Sequence, residues 1–376
     1  MNVLFYCNEY PPYPHGGIGT FTKEVAERLV KLGVNVYVYG AYNGESKTEI
    51  INGVTFIADK KPNNNIGKIY LRIKIYFRLK EIITKYSINI LEVQDAGGLL
   101  AFYPKLKTNI VIRLHGSKTT VSKLCNGKED FKYHIFKFLE KSHLQKTNNI
   151  IAVSKFTAKY TKQVFNLNFK DNIHYNGITN LDIEPMINNQ EKDLITYSFV
   201  GSLYERKGIF DLVNAWIDFS KKRSNVQLIV FGKDINSNLE KIKKQLFDNN
   251  VHNVKFKGHC TKDEMFAEMK FVDFVFIPSH VENFSLVPLE AMLNKKVVYY
   301  TNQTSASELI KDGENGFLIN GKDDIYNKLD CSYHLTKEAY NKIALNGYKT
   351  VIENFITEVT LNKDIEFYKR IIEHGN

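Results

Sequence analysis

Short apolar runs rich in β-branched and aromatic residues alternate along this chain with longer segments whose apolar residues recur at helical spacing. Residues 2–6 read as a first strand. Residues 20–32 read as an amphipathic helix with Phe21, Val25, Leu29 and Leu32 on one face, stopped by Gly33, and residues 35–39 as the next strand. Strand-type runs follow at 88–93, 110–114 and 149–153. Beyond a polar, aperiodic stretch at 180–193, a second series falls at 194–201, 226–231, 254–257, 274–277 and 296–300. Strands joined through helices lie parallel and need both faces covered, so the order predicts an α/β chain of two doubly wound parallel sheets. The boundary falls in the polar stretch, giving domains 1–180 and 181–355, with a final helical segment at 356–376. Ligands of such sheets bind beyond the carboxyl ends of the strands, which places the expected site between two facing domains.

A chain of 376 residues can bury two cores. Its four cysteines, Cys7, Cys125, Cys260 and Cys331, have neither metal-type nor disulfide-type spacing, which suits a reducing cytoplasm. The first residues have no basic leader, and no apolar run approaches the roughly 20 residues that span a bilayer, so a soluble or peripheral protein is expected. Charge is unevenly placed. Residues 51–170 hold 22 basic and 7 acidic side chains, net +15, whereas residues 181–376 carry a net −3. Within the basic region, residues 66–86 interleave Ile69, Leu71, Ile73, Ile75, Phe77 and Leu79 with Lys68, Arg72, Lys74, Arg78 and Lys80. Such a segment can lie on anionic lipid at the inner face of a membrane, or be a surface helix with solvated lysines. The same charge also suits nucleic acid, but no recognisable DNA- or RNA-binding module accompanies it, and no nucleic-acid partner is expected.

The most informative stretch runs from Pro278 to Glu290: Pro-Ser-His-Val-Glu-Asn-Phe-Ser-Leu-Val-Pro-Leu-Glu, with seven residues between Glu282 and Glu290. An apolar strand run precedes it, and a helix follows with Pro288 suited to the first position. Val287 then falls at the cap and offers no side-chain acceptor, so the first-turn amides stay free for an anion. A glutamate one turn in can accept two ribose hydroxyls. The plainer alternative has Glu290 complementing the helix dipole and Glu282 solvated.

In their order along the chain these motifs resemble a known family. The Glu282-x7-Glu290 pair is similar to the signature of retaining glycosyltransferases of the GT-B fold, family 4, the group 1 glycosyl transferases. The resemblance continues through Glu308-Leu309-Ile310 and Asp312-Gly313-Glu314-Asn315-Gly316-Phe317, and upstream through Phe199-Val200-Gly201-Ser202-Leu203 with Arg206-Lys207-Gly208. Glu9-Tyr10-Pro11-Pro12, Gly16-Gly17-Ile18-Gly19 and Arg113-Leu114-His115-Gly116 extend it over nearly the whole chain.

The resemblance implies a GT-B enzyme using a nucleotide diphosphate sugar, UDP-sugar above all, with no separate cofactor and no metal. Lys207 and Arg206 would neutralise the diphosphate, Glu282 would hold the sugar's hydroxyls and Glu290 the ribose. The amides of Phe284, Ser285 and Leu286, with Ser202, would meet phosphate and sugar, and backbone at Gly258, His259 and Cys260 the base. Gly16 and Gly17 would lie as a loop against the donor, His115 would donate a hydrogen bond to the transferred sugar, and Glu9 and Asp95 would bind hydroxyls of a glycan or lipid-linked acceptor. The final helix would pack back on the first domain. Ser202 departs from the pattern, because many relatives carry arginine there. No Asp-x-Asp and no His/Cys cluster supports a metal, and the third glycine of a nicotinamide fingerprint is missing. A non-catalytic member that binds glycan or stabilises a partner remains the alternative.

Overall fold

The computed structural model describes residues 1–62, 65–179 and 194–374, of which 65–69 and 262 are described in the backbone but not the side chains. The polar stretch at 180–193 and the side chains of Ile66, Lys68 and Ile69 therefore lie outside the described residues. The chain divides into two compact units, one of Met1–Thr179 with Thr357–Asn376, the other of Asn180–Ile356.

The first unit is built on β1 (Asn2–Tyr6), β2 (Asn35–Tyr42), β3 (Lys47–Ile51), β4 (Val54–Lys60), β5 (Ile90–Gln94), β6 (Asn109–Leu114), β7 (Ile150–Ala152) and β8 (Asn172–Ile173). Its helices in chain order are α1 (Gly17–Lys31), α2 (Asn65–Lys85), α3 (Lys118–Leu124), α4 (Phe131–Leu144) and α5 (Lys155–Phe165). The strands run in the order β3-β4-β2-β1-β5-β6-β7-β8, all neighbours parallel except β3 with β4. That antiparallel edge corrects the wholly parallel expectation. Asn52 and Gly53 both take positive φ between β3 and β4, the tight hairpin turn that an Asn-Gly pair favours.

Alternate residues of a buried strand serve opposite faces. Val3 and Phe5 pack with Phe21, Val25 and Leu29 of α1, while Leu4 packs with Ile75, Leu79, Ile82 and Ile83 of α2. Leu32, expected on the buried face of α1, is instead its C-cap and 54% exposed, because the chain turns away at Gly33. Residues 65–85 are helical throughout, with Tyr70, Ile73 and Phe77 exposed. Three of the basic residues expected to meet lipid have partners inside the unit, while Lys80 is exposed. Arg72 donates to the carbonyls of Gly98 and Leu99, Lys74 and Arg78 lie 3.6 and 3.7 Å from the Asp59 carboxylate, and Arg78 also bonds Glu81 at 2.6 Å.

The second unit contains β9 (Ile195–Val200), β10 (Val226–Phe231), β11 (Val254–Gly258), β12 (Phe274–Ile277), β13 (Val297–Thr301) and β14 (Phe317–Ile319). These form a parallel sheet in the order β11-β10-β9-β12-β13-β14, with a topological switch between β9 and β12. Around it lie α6 (Ile209–Ser220), α7 (Asn238–Asp248), α8 (Lys262–Met269), α9 (Val287–Leu293), α10 (Ala306–Leu309), α11 (Ile325–Tyr333) and α12 (Lys337–Asn354). Tyr197, Trp216, Phe274 and Tyr340 are fully buried at its centre.

The last helix, α13 (Thr357–His374), belongs to the first unit. It is fastened there by charge. Arg113 on β6, 1% exposed, pairs with Glu92 of β5 at 2.7 Å and with Asp364 of α13 at 2.9 Å. Asp364 also takes His174 at 2.6 Å, and the Tyr368 hydroxyl donates to Glu92 at 2.5 Å. Burial opposes the charge of Asp364, but Arg113 and His174 outweigh it and hold its carboxyl below the usual range. Removing one member leaves a buried charge short of its partner. Asp364→Ala should therefore cost about 3–5 kcal/mol, measured by denaturant unfolding; a loss indistinguishable from that of a surface substitution would show that α13 is held by its apolar face alone.

Candidate active site

In the first unit the side chains singled out from sequence gather beyond the carboxyl ends of three adjacent strands, β1, β5 and β6. Glu9 follows β1 and is engaged at the start of α1. Its carboxylate accepts the amides of Gly16 at 3.3 Å and Gly19 at 3.0 Å. Gly16 is the N-cap of α1 and has no side chain to cap with, so Glu9 supplies the missing acceptor from outside the helix. The expected glycine loop is thus corrected. Gly17, Ile18 and Gly19 are the first turn of α1, and the place where an anion would sit holds a carboxylate. A Cβ at Gly19 would run into the Glu9 carbonyl, which accounts for a glycine there.

His115 follows β6 directly, half-buried, with its ring edge-on to Phe21 at 4.9 Å. Phe21 also lies 5.1 Å from the Arg113 guanidinium. Burial, then the positive charge of Arg113, pushes the imidazole down to about 3. His115 is therefore neutral near pH 7, able to donate one hydrogen bond and unable to act as an imidazolium acid.

Asp95, expected to bind acceptor, is 1% exposed and is corrected to a role beneath the site. Its two oxygens accept the backbone amides of His115 at 3.0 Å and Gly116 at 3.1 Å. Below it is a residue that the sequence pattern did not reveal. Glu140 of α4, fully buried, accepts the amides of Gly97 at 2.8 Å, Lys118 at 2.9 Å and Thr119 at 3.1 Å, and the Thr119 hydroxyl at 2.5 Å. One turn on, His143 receives the Leu100 amide at 3.2 Å through Nδ1 and donates to the Gln94 carbonyl at 2.9 Å through Nε2, which fixes its neutral tautomer. Two buried polar side chains of one helix thus clamp the turns after β5 and β6. Their only signal in the sequence is a Glu and a His on the otherwise apolar face of α4.

In the second unit the decisive pair straddles the switch point. Lys207, in the 3₁₀ turn Glu205–Lys207 after β9, forms an ion pair with Glu282, in the loop after β12. Their side chains are 22% and 12% exposed. The turn is locked beside that loop: Gly208 has φ +73°, a Cβ on it would overlap the Pro278 carbonyl, and the His280 amide donates to the Arg206 carbonyl at 2.8 Å. Arg206 itself leans on Tyr204, 5.9 Å from the ring centroid. Ser202 stands between β9 and this turn, half-buried.

Helix α9 starts one residue earlier than the sequence suggests. Leu286 is the N-cap and Val287 the first helical residue, with no side-chain cap bond, and Glu290 lies in the first turn. Ser285 is half-buried, while Phe284 is buried with its ring 5.7 Å from Phe355 and so anchors the loop. The Tyr300 hydroxyl, not foreseen, is raised well above its usual range by burial and then by the charge of Glu282, and stays protonated. Gly258, at φ +71°, ends β11, two strands from β9, and His259, exposed, and Cys260 follow it. Among the described residues no group of three or more His, Cys, Asp or Glu is placed to hold a metal ion.

Two family models match this chain, one on each unit. The model for glycosyl transferases group 1 matches residues 182–350, and that for glycosyltransferase family 4 matches residues 15–179. The chain is a group 1 glycosyl transferase. An uncharacterized glycosyltransferase of Methanocaldococcus jannaschii is 29% identical over 343 residues, 88% of this chain and 87% of the relative. A capsular polysaccharide biosynthesis glycosyltransferase of Staphylococcus aureus is 26% identical over 65% of this chain and 67% of its own. Among solved structures, sucrose-phosphate synthase of Thermosynechococcus elongatus superposes with a TM-score of 0.83 at 15% identity, covering 99% of both chains. The Anabaena HepE protein in complex with UDP and glucose superposes at 0.75 with 17% identity, covering 98% of this chain and 100% of that one. The fold of this glycosyltransferase is thus GT-B.

Asp95 gives a test of the turn under His115. Burial, and then Glu140, raises its carboxyl from 3.8 to about 7. From about pH 4 to about 7 the folded chain keeps a proton that the unfolded chain has released, so this group makes the fold lose stability as pH rises through that window. Asp95→Asn cannot accept both amides and starts less stable at low pH, but it lacks the slope. Its deficit in melting temperature should narrow from about pH 4 to about 7; a deficit that widens would mean that Asp95 is ionised throughout.

Proposed function

We propose that this glycosyltransferase moves a sugar from a nucleotide diphosphate sugar, with UDP as the nucleotide, to a hydroxyl of a glycan or lipid-linked acceptor, retaining anomeric configuration and needing no metal. Its setting is bacterial cell-surface glycan or glycoconjugate synthesis in the cytoplasm, at the inner face of the membrane. What carries the reading is the Lys207–Glu282 pair beside the α9 start, with Glu290 one turn in. A diphosphate that claims the Lys207 ammonium frees Glu282 to accept sugar hydroxyls. Arg206, swinging from Tyr204, adds the second positive charge. The amides from Phe284 to Leu286, with Ser202, meet phosphate and sugar, Glu290 takes the ribose, and backbone at Gly258 to Cys260 meets the base. The UDP and glucose bound by the Anabaena protein and the capsular role of the Staphylococcus relative support the donor and the pathway class.

Retention then follows from attack on the face from which the diphosphate departs. The acceptor oxygen bonds to the anomeric carbon as the bond to the β-phosphate oxygen breaks, and that departing oxygen takes the acceptor's proton. No protein base is required. Lys207 and Arg206 stabilise the charge growing on the diphosphate, and neutral His115 donates to the sugar.

Glu290→Ala should weaken UDP binding by about 1–3 kcal/mol, the usual value of hydrogen bonds to a charged group. Calorimetric titration that finds unchanged affinity would remove Glu290 from the ribose site. Because side-chain cations do the electrostatic work, transfer should persist in excess chelator. Activity lost on chelation and restored by magnesium or manganese would overturn the metal-free scheme.

A further inference from the structure

Four large apolar side chains stand in water on one side of the first unit. On α4, Phe131, Ile135 and Phe138 fall at i, i+4 and i+7, so they share a face, and they are 80%, 42% and 61% exposed. Phe102, 67% exposed, joins them from the turn after β5, its ring 5.9 Å from that of Phe138. Phe102 holds a left-handed backbone at φ +65°, a conformation uncommon for a bulky residue and one that costs free energy. The turn that imposes it is clamped from below by Glu140 and His143 on the buried face of the same helix. The fold thus presents an aromatic side chain to solvent from a rigid turn, whereas burial would have been the default.

The surroundings decide what covers this patch. Residues 102–141 hold eight lysines and three acidic residues, one of which is the buried Glu140. Lys105, Lys107, Lys128 and Lys132 are all exposed. Aromatic side chains ringed by lysine suit the interface of an anionic bilayer, where rings sit at headgroup level and the cations meet a negative surface potential. A second copy of this chain would bring the same positive field against itself.

We propose that Phe102, Phe131, Ile135 and Phe138 form the surface by which this unit docks on an anionic lipid bilayer. The docking face is α4 and the turn after β5, not the basic residues of α2, three of which are bonded inside the unit. The turn that carries Phe102 begins at Asp95, beneath His115, so docking here brings lipid-linked hydroxyls toward the His115 side of the first unit; that consequence rests on the function proposed above.

The test compares full-length protein with a variant carrying Phe102→Ser, Phe131→Ser, Ile135→Ser and Phe138→Ser, and with a second carrying Tyr70→Ser, Ile73→Ser and Phe77→Ser on α2. Sedimentation with phosphatidylglycerol-containing vesicles and with pure phosphatidylcholine vesicles is read at low and physiological salt. The parent should bind the anionic vesicles, more weakly as salt rises, and the first variant should bind about tenfold or more weakly, while the second binds like the parent. Melting temperature and UDP affinity, unchanged in the first variant, separate loss of docking from unfolding and from failure of the donor assignment. A parent that ignores anionic vesicles overturns the proposal. So does a first variant that binds like the parent, or a loss seen only in the α2 variant. A parent dimer that the first variant dissociates would assign the patch to a second copy instead.

Discussion

The Arg113 guanidinium is the constraint on which the first unit turns. A full charge at the centre of a sheet is tolerable only if its partners are fixed around it, and Glu92, Asp364 and, through them, Tyr368 and His174 are those partners. Two of the four come from α13, nearly two hundred residues beyond the rest of the unit. The sheet is therefore completed only when the end of the chain returns to it. The same arginine lies against Phe21, whose ring packs on His115, and its charge helps keep that imidazole neutral. The arginine that fastens α13 thus adds, after burial, to what keeps a candidate catalytic imidazole neutral.

Around His115 the protein places carboxylates where backbone amides would otherwise lack acceptors. Glu9 caps α1, Asp95 holds the turn after β6, and Glu140 ties that turn to the one after β5. Burial, and then the neighbouring charge of Glu140, pushes the Asp95 carboxyl up to about 7. The second unit solves a similar problem with opposite charges. Lys207 and Glu282 neutralise each other at the switch point, so neither is left alone in a partly desolvated place before a ligand arrives.

Periodicity made most strands and the main helices legible, because burial on one face or both writes itself into side-chain spacing. The Asn52-Gly53 hairpin was also written in the chain, but β3, short and largely exposed, has no apolar alternation strong enough to declare a strand. The motif positions Lys207, Glu282, Glu290 and His115 were legible by their order, and all fall at strand ends or helix starts. Glu9 and Asp95 were legible as positions but not as roles. Whether a carboxylate faces a ligand or a neighbouring amide depends on where another strand's turn arrives.

By itself the sequence determined the α/β alternation, the concentration of positive charge in residues 51–170 and the chemistry available at each strand end, because these are properties of local pattern and composition. Only the tertiary structure decided that Arg72, Lys74 and Arg78 are spent on internal partners, that Glu140 and His143 are buried clamps, and that Phe102 and the α4 phenylalanines remain in water. Each of those outcomes is a pairing or its absence between residues distant in sequence. Spacing along a chain fixes which side chains share a face, whereas what that face meets is fixed by how the elements pack.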